Sequence, residues 1–292
     1  MLGSQTYATV YFGAIVAVAL VEAFAPARTA GPEVGRRWLR NFSLTLLDTA
    51  VVRLVLPVAG VGWAVLAAVR GWGLLSLVDL PLWARIALTV VVLDFSYYLQ
   101  HYLLHAVPLL WRLHRTHHSD IEYDFSTGVR FHPLEALFTA AFGMMFIVLL
   151  GAPAEGVMLS QIFAVAVSFA EHANVMIPAR VDRAVRLVLV TPNMHRVHHS
   201  VELDEGNSNF SNMFSFWDRL FGTYIDQPAA GHDQMEFGLM EVRDRAQLTL
   251  PRLLVQPFAD LSAAGRAPSA SRPPRATGEP VSAVRATSAD HL

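Results

Sequence analysis

The chain has 292 residues, 53% of them hydrophobic and 16% charged, with a mean hydropathy of +0.38 and a formal net charge of −2. That composition belongs to a membrane protein, and the absence of a basic field argues against a nucleic-acid partner. The sequence has neither cysteine nor lysine, which excludes disulfides, cysteine zinc sites, iron–sulfur clusters, haem thiolates and lysine Schiff bases, and leaves His, Asp and Glu to bind any metal.

Residues 7–25 form an apolar run broken only by Glu22, long enough to cross about 30 Å of hydrocarbon as a helix. A signal peptide would need a basic start, which MLGSQTY lacks, and Pro26 sits where cleavage after Ala25 would fall, so an uncleaved span is expected. Arg28, Arg36, Arg37 and Arg40 then crowd one short loop, which the positive-inside rule assigns to the cytoplasm. A second span is expected at about residues 51–69, with Pro57, Gly60 and Gly62 inside it, and a third at about 82–101 returning to the cytoplasm.

Two further apolar runs, 136–150 and 157–170, are joined by GAPAEG and are short for full crossings. The expected fold is therefore all-α: a polytopic membrane bundle of four to five spans, the last two short or re-entrant, with a His-rich di-metal domain on its cytoplasmic face. Residues 1–81 read as N-terminal transmembrane helices and 82–258 as the catalytic domain. Residues 247–258 read as an interfacial segment, and 259–292, rich in Ala, Ser, Pro and Arg, as a disordered tail. A multi-pass protein of the bacterial inner membrane is the expected setting.

Histidine carries the functional signal. Of twelve, none precedes residue 101 and ten fall between His101 and His199. Eight form three boxes: His101 with His105, His114 with His117 and His118, and His195 with His198 and His199. On a helix such spacings fall within about 100° of arc, so each box is expected to point its imidazoles toward one place. His132 and His172 lie between the boxes, whereas His232 and His291 are assigned no role. So many buried imidazoles would repel when protonated and leave ring nitrogens unpaired when neutral, unless a metal or hydrogen-bond network satisfies them. Their number exceeds what one ion can use and implies two. Imidazole suits iron, zinc, copper and nickel alike. Asp94 shares a helical stripe with Tyr98, His101 and His105; with Glu135 and Asn193 it is a candidate to hydrogen-bond a ligand imidazole and fix its orientation. Asn207, Asn209 and the Asp218–Arg219 pair read as loop and surface groups. Arg112, Arg115 and Arg196 read as solvated faces able to meet lipid phosphates or an acidic protein.

Over about residues 85–226 the sequence resembles the fatty acid hydroxylase/sterol desaturase superfamily of integral-membrane, non-haem di-iron oxygenases. The likeness is carried by the three boxes in their order, by FHPLE, by TPNMHRVHHS and by NSNFSNMFSFWDRLFGTY. It implies two iron ions, with zinc able to replace them in purified protein, and O2 as co-substrate to hydroxylate or desaturate a sterol-like or fatty-acyl or alkyl lipid, hydroxylation being favoured. The ligand role it implies falls on His101, His105, His114, His117, His118, His195, His198 and His199, and on His132 and His172, which match positions that are histidine in the sterol-oxidase-like branches. No catalytic residue beyond the ligands is implied. Tyr102 stands where an arginine is common and Phe210 where a tyrosine is usual. Electrons are expected from a ferredoxin, a cytochrome b5-like protein or a reductase. A carotenoid hydroxylase is the alternative enzyme, although its final boxes are spaced differently. A non-catalytic metal-binding or transport protein is the alternative of another class, although transporters place ionisable ligands mid-span.

Overall fold

The structure, a computed structural model, describes residues 2–259. It is helical, with no strand longer than an isolated bridge among the described residues. The helices are α1 (Leu2–Phe24), α2 (Val34–Val55), α3 (Gly60–Arg70), α4 (Leu82–Ala106), α5 (Pro108–His118), α6 (Pro133–Leu150), α7 (Ala154–Glu171), α8 (Ala179–Val185), α9 (Pro192–His198), α10 (Leu203–Gly206), α11 (Phe216–Phe221) and α12 (Leu250–Val255). Five stretches are long and apolar enough to cross a membrane: Gln5–Phe24, Val34–Ser76, Leu82–Ala106, Pro133–Leu150 and Ala154–Glu171. The protein is a multi-pass membrane protein. The expected tail, apart from Ala259, and His291 lie outside the described residues.

The second stretch departs from expectation. No single helix runs over 51–69. Proline disfavours helical geometry in the residue before it and has no N–H to donate; accordingly Leu56 leaves the helix with φ −123° and ψ 74°, α2 ends at Val55, and α3 begins only at Gly60. α2 instead starts early, so Arg36, Arg37 and Arg40 lie in its first two turns rather than in a loop. Arg37 is buried, with Nε 2.8 Å from Asp120 Oδ2 and Nη1 2.5 Å from Asp124 Oδ2. Burial alone would raise the Asp120 carboxyl, but the guanidinium more than offsets it and holds it below the ordinary carboxylate range. This ion-pair cluster ties the head of α2 to the loop after α5.

The hairpin α6–α7 is longer than expected, 18 residues in each arm. Its tip is closed by Gly151 at φ 68°, where a Cβ would sit 2.5 Å from the Trp72 carbonyl oxygen, so only glycine fits. One core forms there from Ala64, Leu75, Leu93, Ile147, Leu150 and Val157. Gly156 of α7 meets Thr89 of α4, so the hairpin lies alongside α4 and both elements reach the histidines at their other ends. The segment 247–258 is less peripheral than expected: Leu248 and Leu253 are buried with Leu44 of α2 and Val242, while Val255 and Phe258 are exposed.

Candidate metal centre

A proline builds the centre. Pro108 forces Val107 into an extended conformation (φ −98°, ψ 116°), which ends α4 just after His105 and, as the first residue of α5, starts a new helix in another direction. The second box therefore folds back on the first. His101 Nε2 lies 3.1 Å from His114 Nε2, and His105 Nε2 lies 3.1 Å from His118 Nε2. The third box sits on α9, opened by Thr191, whose hydroxyl accepts from Met194 N, and by Pro192. His172, at the C-terminal end of α7, reaches in with Nε2 3.0 Å from His195 Nε2 and 3.4 Å from His117 Nε2.

Nine histidines fall into two groups. His101, His105, His114, His118 and His198 form one; His117, His172, His195 and His199 form the other. Within each, the candidate ligand atoms lie within 4.8 Å of one another. The boxes thus do not each point to one place. Residues i and i+4 differ by about 40° around a helix, whereas i+3 falls about 60° to the opposite side. His114 and His118 accordingly share one group and His117 enters the other; His195 and His199 share the second and His198 enters the first.

The far ring nitrogens determine what the near ones can do. Nδ1 of His101 lies 2.9 Å from the Phe210 carbonyl, that of His117 3.3 Å from Arg130 O, that of His172 2.7 Å from Ser168 O and that of His198 2.7 Å from Ser208 O. A carbonyl only accepts, so each Nδ1 carries the proton and each neutral ring turns a bare Nε2 lone pair inward. His114 Nδ1 donates likewise to Glu135 Oε1 at 2.6 Å. His101 and His114, or His117 and His172, cannot then hydrogen-bond to each other through Nε2: their lone pairs face one another. Buried His198 Nε2, His199 Nε2 and His195 Nδ1 have no hydrogen-bond partner among the described residues. Two nitrogens each about 2.0–2.1 Å from one ion lie about 2.9–3.4 Å apart, the spacing found here. The donor set fits metal ions.

Electrostatics agree. Burial, with neighbouring imidazoles adding to it, holds His114, His117, His118, His195, His198 and His199 well below the ordinary histidine range. Burial likewise brings His172 down to about 3. These rings are neutral at pH 7, the form that binds a cation.

Other candidates fall elsewhere. His132 joins neither group: it caps α6, with Nδ1 accepting from Leu134 N at 3.2 Å and Nε2 3.1 Å from Leu254 O, so both nitrogens are occupied. Asp94 touches no imidazole; it accepts from Met213 N, Phe214 N and Trp217 Nε1 at 3.1, 3.1 and 2.8 Å. Asn193 donates to Ile177 O. Of the three orienting candidates, only Glu135 meets a clustered histidine. Asp218 does not pair with Arg219 but is buried, accepting from Phe210 N, Ser211 N and Thr223 Oγ1. Arg112, Arg115 and Arg196 bond to backbone carbonyls, of Pro257, of Gln256 and Ala259, and of Val175.

Sequence reasoning missed several partners: the carbonyls of Arg130, Ser168, Ser208 and Phe210, which no side-chain pattern reveals, and Asn207, whose Oδ1 lies 3.3 Å from His105 Nδ1. It also missed Glu171, with Oε1 3.7 Å from His172 Nδ1, where a Glu next to a histidine was a usable signal. Aromatic rings wall the centre. Phe131 stacks on His117 at 4.8 Å, Tyr123 flanks His199 at 5.2 Å, Trp111 flanks His105 at 4.9 Å, and Phe210 flanks both His105 and His198. The four-histidine group is fully buried, whereas His101 and His105 are only half-buried, so the centre is open on their side. Tyr102 and Phe210, the two departures noted above, pack edge to face there with centroids 5.6 Å apart.

Comparison with known proteins places this geometry. The profile of the family described as "Fatty acid hydroxylase" matches residues 86–223. The ornithine lipid hydroxylase OlsE of Rhizobium tropici is 35% identical over 150 residues, 51% of this chain and 44% of the relative. The alkylglycerol monooxygenase of Xenopus tropicalis is 29% identical over 193 residues, 64% of this chain and 41% of the relative. Human cholesterol 25-hydroxylase is 27% identical over 141 residues, 48% of this chain and 50% of the relative. The chain thus spans about half the length of these relatives, or less. No solved structure matches it. The segment matched by the fatty acid hydroxylase family, 86–223, carries all nine converging histidines.

Proposed function

We propose that the protein is a membrane lipid hydroxylase: an O2-dependent oxidoreductase holding two iron ions, one in each histidine group. The observation that carries this reading is the pairing of bare Nε2 lone pairs across α4, α5, α7 and α9, which a bound cation would satisfy and neutral rings alone cannot. When bound, an iron pair supplies the oxidising power toward an unactivated C–H bond that side chains lack. The net reaction is R–H + O2 + 2e⁻ + 2H⁺ → R–OH + H2O. Hydroxylation is preferred over desaturation because the relatives are named as hydroxylases or monooxygenases of lipids.

The chain's own residues do the remaining work. Backbone carbonyls and Glu135 fix the imidazole tautomers. Phe131 and Tyr123 close the four-histidine side against water, while the side near His101, His105 and Tyr102 stays open for a lipid chain entering from between the spans. Residues 82–258 form the catalytic unit. With no cysteine for a cluster, electrons come from a separate ferredoxin, cytochrome b5-like protein or reductase. The arginines of the α1–α2 region, at the histidine end of the bundle, support a cytoplasm-facing centre, and a bacterial inner membrane is the proposed setting.

The test compares the lipid masses of cells expressing wild type and His117→Ala with a competent reductase. A wild-type-only gain of one oxygen in a lipid is expected. Identical lipid profiles would overturn the enzyme reading, and loss of two hydrogens instead would assign desaturation.

A further inference from the structure

Asp94 serves as a depth gauge. It lies on α4 seven residues before His101, about 10 Å deeper along the helix axis at 1.5 Å per residue. Its carboxylate nevertheless bonds to the backbone of Met213 and Phe214 and to the Trp217 indole, residues that follow the last box. Phe95 and Tyr98, on the same helix, pack against Phe221 at 5.9 and 5.2 Å, and Phe95 against Trp217 at 5.1 Å. The segment after the third box therefore does not rise away from the membrane with the histidines. It turns back down beside α4.

A second segment lies with it. Leu189 bridges to Phe214, Val190 N bonds to Met213 O, and Ser215 N bonds to Val188 O. Together these two segments expose Leu187, Val188, Leu189, Phe216, Leu220 and Phe221, with Leu187 67% and Leu220 68% accessible; Arg219 is exposed among them, its guanidinium bonded to Ser215 O and Oγ and lying over the Tyr224 ring. A concentration of exposed large apolar side chains on two paired segments signals an interaction site. It joins α4 through Phe221, which packs on Phe95 and Tyr98, and α4 is a span about 37 Å long, against about 30 Å of hydrocarbon. If the hydrocarbon ends near His101, the patch lies inside it. The adjoining α8 exposes Val181 and Val185 together with Arg180 and Arg183, a mixed apolar and basic surface that suits the headgroup layer.

We infer that residues 186–189 and 213–221 form a wedge inserted into the bilayer leaflet on the histidine side, embedded in hydrocarbon without crossing it, with the preceding α8 at the level of the lipid phosphates. Its exposed backbone is limited because the two segments bond to each other and to Asp94, as burial in hydrocarbon requires. The wedge holds the open side of the centre at leaflet depth rather than above it. This inference rests on the α4 span and stands whether or not the protein is a hydroxylase.

The cysteine-free chain makes the test clean. Leu187→Cys, Val188→Cys, Leu220→Cys and Phe221→Cys are each labelled with the fluorophore NBD in the full chain, in vesicles of phosphatidylcholine and phosphatidylglycerol. Leu88→Cys on the span and Glu241→Cys on an exposed loop are the controls. Embedding predicts blue-shifted emission that doxyl-labelled lipid quenches as it does at Leu88→Cys. Emission and iodide quenching like those at Glu241→Cys would overturn the wedge. Blue-shifted emission that doxyl lipid leaves unquenched, and that is lost on dilution into excess lipid, would overturn it in favour of contact between two copies of the chain.

Discussion

His101 Nε2 and His114 Nε2 face each other at 3.1 Å across the Pro108 turn, and neither carries a proton, because the Nδ1 of each ring donates its own proton elsewhere, one to Phe210 O and the other to Glu135. Such a contact is repulsive in the absence of a cation. Protein purified with iron and analysed by elemental mass spectrometry should hold two ions per chain. His101→Ala and His195→Ala should each lower that content toward one, the first by emptying the open group and the second the buried one. His132→Ala should leave the count at two, since that ring bonds to Leu134 N and Leu254 O instead.

Among the described residues Glu135 bonds to one ring, through a 2.6 Å contact with His114 Nδ1. Loss of a carboxylate that orients a ligand histidine costs about 10–100-fold in metal affinity. Glu135→Ala should show a loss of that size in a chelator competition. Glu135→Gln, which keeps an acceptor but loses the charge, should fall between it and wild type.

Asp94→Asn should destabilise the wedge more than the centre. The carboxylate accepts three hydrogen bonds, and an amide would turn an N–H against one of those donors. Leaving a buried donor unmet costs about 1–3 kcal/mol. Hydrogen exchange should accelerate in residues 213–217 while iron content changes little.

Metal-free protein should lose stability in acid, and the sign follows from the direction of the shifts. His114, His117, His118, His195, His198 and His199 are held below the ordinary value in the folded chain, so below about pH 6.5 the unfolded chain takes up protons that the folded chain refuses. Stability is therefore full above pH 6.5 and falls as pH drops, by about 1.4 kcal/mol per pH unit for each histidine that titrates only on unfolding. Thermal unfolding in detergent at pH 8 and pH 5.5 should show the drop. Bound metal should shift its onset to lower pH.

Much of this was legible in the sequence, and the gaps have physical causes. The boxes stand out because eight histidines at helical spacings have no cheaper structural explanation. Their division between two groups follows from the angular difference between i+3 and i+4, which spacing alone contains but a one-box, one-place reading overlooks. The break in the second apolar stretch was written in Pro57, whose effect on Leu56 outweighs hydrophobic length. His132 could have been read as a cap, since it directly precedes the Pro133 that opens α6. Asp94 is different: its partners lie 119–123 residues downstream, and only tertiary folding brings them together.

Four of the nine clustered rings are aimed by main-chain carbonyls, those of Phe210, Arg130, Ser168 and Ser208. An amide oxygen is the one acceptor that substitution cannot delete. The aim of these rings is thus inherited from the path of the polymer, while Tyr102, Trp111 and the side chain of Phe210, which line the open rim, are free to be rewritten. On the proposed function, a centre divided in this way can change the rim that meets its substrate without renegotiating the chemistry beneath.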